Sequence, residues 1–208
     1  QQTVTYNVTP NTTNNCPGSN FNVVITVNPT PVIPAQTLTT CGGTQTSLNL
    51  SNNQPTTILP TNTTFSWSVP GSLVSLTGST AGNVLNNFQQ TLTNTSNTTQ
   101  TATYSVTPTT GSCIGTPFNV VITVNPTPAV SAATATICSG QTFTVTPSST
   151  TIPTGTTYSW STGATTAAIS VSPTATTTYT IASLSDASGS SKYFRYPQEI
   201  LWVYAKRN

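Results

Sequence analysis

The chain has 208 residues, of which 34% are hydrophobic and 3% charged, against about 25% charged in an ordinary soluble protein. All six charges follow Ser185, at Asp186, Lys192, Arg195, Glu199, Lys206 and Arg207, and there is no histidine. Residues 1–185 thus lack the carboxylates, imidazoles and amines on which acid–base catalysis, zinc or calcium binding and phosphate recognition rest, so the composition argues against an enzyme, a cofactor site and a nucleic-acid partner.

Solubility must come from Thr, Asn, Ser and Gln, with Thr about a quarter of the chain. No apolar run reaches the ~18 residues of a membrane helix, so no membrane insertion is expected. The opening Gln-Gln-Thr-Val-Thr has no basic region followed by an apolar core. It reads as the middle of a domain within a longer secreted protein.

Residues 1–31 read as the last two strands of a β-sandwich. Thr3 to Thr9 alternates, a Pro- and Asn-rich turn follows, and Phe21 to Val27 alternates again. Asn28-Pro29-Thr30-Pro31 then stops the ladder, because proline has no N–H. Two strands alone are marginal in water, so the pair calls for strands from upstream or from another chain.

Phe21 to Pro31 returns unchanged at Phe118 to Pro128, 97 residues on, and Gln2 to Pro10 is matched by Gln100 to Pro108. A period near 100 residues suits an immunoglobulin-type sandwich. Residues 32–128 are therefore expected to be one complete sandwich. Its candidate strands are Gln45 to Leu50, Thr64 to Val69, Leu73 to Leu76, Val84 to Leu92, Thr99 to Thr107 and Phe118 to Val124. Val84 to Phe88 is the one stretch to consider for a helical turn.

Residues 129–190 read as a shorter sandwich of the same kind. Tyr158-Ser159-Trp160-Ser161 matches Phe65-Ser66-Trp67-Ser68, and Thr178-Tyr179-Thr180-Ile181 matches Thr103-Tyr104-Ser105-Val106. Recurrence at one place in the repeat favours core packing for Trp67, Trp160, Tyr104 and Tyr179. The sharper alternative makes Trp67 or Trp160 a sugar platform, and it needs exposed aromatics such as Tyr158, Trp202 or Tyr204.

Cysteines stand at 16, 41, 113 and 138. Two pairings are open. The preferred one joins Cys41 to Cys113 within the complete unit and leaves Cys16 and Cys138 to partners elsewhere, with Ser190 where a third unit's cysteine would fall. The other joins Cys16 to Cys41 and Cys113 to Cys138 across the proline spacers. Either implies an oxidising, extracellular setting.

The tail, residues 191–208, changes character, with charges and bulky aromatics and no Thr. It is read first as the last strand of the third unit, with Ile200, Trp202 and Tyr204 on one face. A second reading makes it an intermolecular strand carrying Tyr193, Phe194, Ile200, Trp202 and Tyr204. A third makes it foreign to the repeat.

These residues resemble a known group. Thr103 to Pro108, Gly111 to Pro117 and Phe118 to Pro128 are similar to the PKD-like repeats of very large Bacteroidota surface proteins. Ile137 to Gln141, Trp160 to Thr166 and Ser172 to Thr180 resemble the shorter immunoglobulin-like modules that accompany them. Where such modules continue Asp-Ala-Asn-Gly-Cys, this chain has Asp186-Ala187-Ser188-Gly189-Ser190. The resemblance implies tandem β-sandwiches in an exported, cell-surface adhesin or filament protein, often sent out by the type IX route. Its partners would be neighbouring modules, copies of itself or a surface glycan. The alternative is a carbohydrate-binding accessory module of a secreted enzyme.

Overall fold

The computed structural model describes residues 1–51, 56–85, 87–131, 133–147, 149 and 152–206, with 133 and 192–206 described by their backbone. Among the described residues all regular structure is β and none is helical.

The N-terminal hairpin is β1 (Gln2–Val8) and β2 (Phe21–Val27), antiparallel from Gln2↔Val27 to Val8↔Phe21. The central sandwich follows with β3 (Gln36–Cys41), β4 (Gln45–Asn49), β5 (Thr64–Trp67), β6 (Leu76–Thr77) and β7 (Gly82–Leu85). It continues with β8 (Asn87–Thr91), β9 (Thr93–Asn94), β10 (Gln100–Thr110), β11 (Cys113–Ile114) and β12 (Phe118–Asn125). The C-terminal sandwich has β13 (Ala133–Cys138), β14 (Phe143–Val145), β15 (Thr157–Trp160), β16 (Ile169–Val171), β17 (Thr177–Ser185) and β18 (Ser191–Lys206).

In the central sandwich one sheet runs β3-β12-β10-β5-β7, with β11 beside β10, and faces the pairs β4-β8 and β6-β9. The alternation of β12 places Phe118, Val120, Ile122 and Val124 inward, all buried. Ala102, Tyr104 and Val106 do the same from β10. Phe65 and Trp67 extend that face from β5, and Phe88 and Leu92 pack against it from the other layer. Pro108 is tolerated inside β10 because its place falls between the ladders of β12 and β11, where its carbonyl accepts from Gly115 N–H at 2.8 Å.

The C-terminal sandwich repeats this plan with fewer strands. One sheet runs β13-β18-β17-β15 and faces β14-β16. Its core of Val145, Tyr158, Trp160, Ile169, Val171, Tyr179, Ile181 and Leu184 is separate from the central one.

Three sequence expectations need correction. Each sandwich has a first strand, β3 and β13, that no alternation of large apolar residues marks in the sequence. Each lies parallel to the last strand, β3 on β12 and β13 on β18, and Leu38 is the only large apolar residue within β3 before its terminal Cys. In the stretch considered for a helical turn, 84–88, Val84 and Leu85 belong to β7 and Asn87 and Phe88 to β8, and residue 86 lies outside the described residues. Of the strand expected at Leu73 to Leu76, only Leu76 enters a ladder.

Trp67 is fixed from two sides. Its indole N–H donates to Thr80 O at 2.9 Å, and its ring meets Phe88 at a centroid distance of 4.7 Å. A Cβ at Gly82 would lie 2.6 Å from the indole Cη2 and 2.8 Å from Cε2. Gly82→Ala is therefore expected to cost about 1–3 kcal/mol of central-sandwich stability by overpacking. An unchanged urea midpoint would show that this approach is looser than described.

Candidate functional site

The aromatic residues singled out in the sequence belong to the two cores. Trp67 is 8% exposed, Trp160 3%, Tyr104 0% and Tyr179 9%. Trp160 N–H donates to Thr166 O at 2.8 Å, as Trp67 does to Thr80. The Tyr104 hydroxyl meets Ser79 Oγ at 2.7 Å and donates to Gln90 Oε1 at 3.0 Å. Tyr158 is also buried and lies over Trp160 with centroids 6.5 Å apart. Trp67, Trp160 and Tyr158 are thus not free to stack on a sugar. The side chains of Trp202 and Tyr204 lie outside the described residues.

What the chain does present is a pair of junctions built from equivalent positions. Trp67↔Val106 in the central sandwich corresponds to Trp160↔Ile181 in the C-terminal one. Immediately before each Trp strand starts, the same turn recurs: Thr63 Oγ1 donates to Pro60 O at 2.6 Å, and Thr156 Oγ1 donates to Pro153 O at 2.8 Å. Thr64↔Thr109 then matches Thr157↔Ser185, and Thr109↔Ile114 matches Ser185↔Ser191. This sets Asp186 at the place of Thr110, and Ser190 at the place of Cys113. The C-terminal sandwich gains one residue at a bulge between Ile181 and Ser183 and one in the turn.

At the first junction a cleft is lined by Gln1, Asn28 and Pro29 from the hairpin and by Pro60, Thr61, Thr110 and Gly111 from the central sandwich. At the second, Thr99 and Pro126 meet Pro153, Thr154, Asp186 and Ala187. By the repeat, Thr99 is the counterpart of Gln1 and Pro126 of Pro29. Both clefts therefore set the exit end of one unit against the same two turns of the next. Gly115 fits the first junction because a Cβ there would meet Pro31 O and lie 2.8 Å from Pro108 Cγ. At the second, the Asp186 carboxylate closes its turn by accepting from Ser188 N–H at 2.9 Å and Ser190 N–H at 3.0 Å.

The cysteine expectations change. All four carry free thiols. Cys41 is level with Asn125, at the exit end of β12, while Cys113 pairs with Thr110 beyond the entry end. The run from Phe118 to Asn125 alone separates them by more than about 20 Å at 3.3 Å per residue. A disulfide needs Cα atoms within about 7 Å, so Cys41 and Cys113 do not pair in this fold. The alternative fails for a like reason. Cys113 is at the entry end of the central sandwich, and Cys138, level with Lys206, is at the exit end of the next. Cys16 sits in the β1–β2 turn, at the end of the hairpin away from Asn28, whereas Cys41 is a full unit beyond.

The tail is β18, antiparallel to β17 on one edge and parallel to β13 on the other. Trp202 and Tyr204 lie in the stretch that β13 covers, from Leu201 to Lys206, whereas Tyr193, Phe194 and Ile200 lie before it, where β13 makes no pairing. β18 is thus the last strand of the third unit, and both of its edges are paired from Leu201 to Val203, where an added strand would find no free edge. The N-terminal hairpin is different. It has the register of β10 on β12, yet Val4, Tyr6, Phe21, Val23, Ile25 and Val27 are 39–56% exposed. Sequence alone could not separate the two copies, because burial depends on what covers them.

Residues 1–31 and 38–128 match the PKD-like domain family. The chain belongs to that family. No curated protein matches it. Among solved structures it is similar to the Bacteroides ovatus mixed-linkage glucan utilization locus protein SGBP-B, solved with a mixed-linkage heptasaccharide. That likeness has 14% identity and a TM-score of 0.24, over 99% of this chain and 54% of the other. The chain thus spans about half the length of that structure, and at this score the likeness says nothing about what the chain binds.

Among the described residues no group of three or more His, Cys, Asp or Glu could hold a metal. Among the described residues no helix is long and apolar enough to cross a membrane.

Proposed function

We propose that the chain is a structural and adhesive segment of a larger exported, cell-surface protein, not an enzyme. Its PKD-like and immunoglobulin-like sandwiches follow one another through Pro-rich spacers and set a fixed spacing. The recurrence of one junction carries this reading. Pro60, Thr61 and Thr110 receive the hairpin, and Pro153, Thr154 and Asp186 receive the central sandwich. A chain that merely tethered its units would not need equivalent residues at both joints.

Self-association is the second part of the proposal. The hairpin exposes the apolar face that β10 and β12 bury, and no charge lies on it to oppose contact. A second copy seated there would remove that face from water. Small-angle scattering on a size-exclusion column tests both parts. A compact chain of this length would have a radius of gyration of ~17 Å. The expected value for the monomer is clearly larger, with a mass that rises with concentration. A compact monomer would sink the first part, and a constant monomer mass the second.

A further inference from the structure

Ser190 is fully buried, and its Oγ donates to Cys41 Sγ across the second junction. Three observations bear on this contact. By register Ser190 is the counterpart of Cys113. Cys138 is the counterpart of Cys41, since each ends the strand parallel to the last strand of its sheet. Each is also followed by the same turn, with Gly43 at φ 81° and Gly140 at φ 77° and with a return bond from Thr44 N–H to Cys41 O and from Gln141 N–H to Cys138 O. The turn that carries Cys113 faces the hairpin at the first junction as the turn that carries Ser190 faces Cys41 at the second.

We propose that these positions are the two halves of a covalent staple between consecutive units, the strand-end cysteine of one unit bonding the turn cysteine of the next. Cys41 and Cys138 are donor halves. Cys16 and Cys113 are acceptor halves, awaiting the strand-end thiol of a complete unit set before them. Within this chain Ser190 interrupts the series and leaves Cys41 as a thiol. The pairing differs from a bond within a sandwich, because it fixes the joint and not the fold. It rests on the end-to-end arrangement proposed above. Closing the staple is a two-electron oxidation. Each thiol gives up a proton and an electron as the S–S bond forms, and a disulfide oxidant such as oxidised glutathione accepts both electrons, breaking into two thiols.

The test uses the full chain with Ser190→Cys, and Ala187→Cys as control. Ala187 is exposed in the same turn, whereas Ser190 is buried against Cys41. After treatment with oxidised glutathione, Ser190→Cys is expected to lose two thiols relative to its reduced form at any dilution, and non-reducing peptide mapping should join residue 190 to Cys41. Ala187→Cys should keep its thiol. A residue-190 thiol that stays free, or an equally efficient bridge from residue 187, overturns the proposal. So does a Cys41–Cys113 bond mapped in the unsubstituted chain, a result that does not depend on the variant folding. Scattering on the same samples separates the two ideas: an extended monomer without the bridge refutes the staple alone.

Discussion

Phe88→Ala is expected to destabilise the central sandwich by about 3–5 kcal/mol, the range for emptying a large buried aromatic site. Phe88 is 0% exposed and comes from β8, in the smaller layer. Its ring meets Trp67 at 4.7 Å and Tyr104 at 5.1 Å, both from the larger sheet. It is therefore a contact through which the two layers hold together, and neither partner can follow it into the gap. Trp67 is held by Thr80, and Tyr104 by Ser79 and Gln90. Against a typical total of about 5–15 kcal/mol, this loss removes much of the unit's stability. The C-terminal core shares no residue with it, so its urea midpoint should not move. Amide cross-peaks of β10 and β12, followed beside those of β15 and β17, would read the two transitions separately. A loss below about 1 kcal/mol, or a joint shift of both units, would contradict the separation of the cores.

The core was legible in the sequence where alternation and repetition coincide. Phe118, Val120, Ile122 and Val124 show a period of two, and an aromatic-Ser-Trp strand appears twice, with both Trp buried. The first strands were not legible. Gln36-Thr37-Leu38-Thr39-Thr40-Cys41 is an edge strand with partial burial along its length, and such a strand needs little apolar pattern. The cysteine geometry was hidden for the same reason. Spacing of 25 residues between Cys16 and Cys41 and between Cys113 and Cys138 only restates the repeat. Which end of the sheet each sulfur occupies is set by the parallel pairing of β3 on β12, and no local pattern announces a parallel edge. Junction residues such as Pro60 and Thr110 gave no signal beyond turn composition, and their role emerges only when the same positions meet a preceding unit twice.

The central sandwich should keep an unchanged urea midpoint from about pH 2 to pH 8 and then lose stability in alkali. Residues 33–127 contain no Asp, Glu, His, Lys or Arg, so none of the groups that drive acid unfolding is present. The alkaline limb comes from Tyr104. Burial pushes its phenol above the ordinary value of 10.0, against a smaller lowering by the Ser79 hydrogen bond. The folded state thus holds its proton more tightly than the unfolded chain does. The associated stability is fully present below pH 10.0, and it declines as pH rises from the unfolded toward the raised folded value. Burial raises Tyr158 in the same sense, so the C-terminal sandwich should share the limb. Tyr104→Phe separates titration from packing. It keeps the ring against Phe88 and removes the ionisable hydroxyl, while Gln90 Oε1 still accepts from Thr80 N–H at 2.9 Å. The variant should lose about 1 kcal/mol at neutral pH, the net worth of a buried hydrogen bond, and should show a flatter decline above pH 10. A midpoint that falls in acid, or an alkaline limb as steep in the variant as in the parent, would place the controlling proton elsewhere.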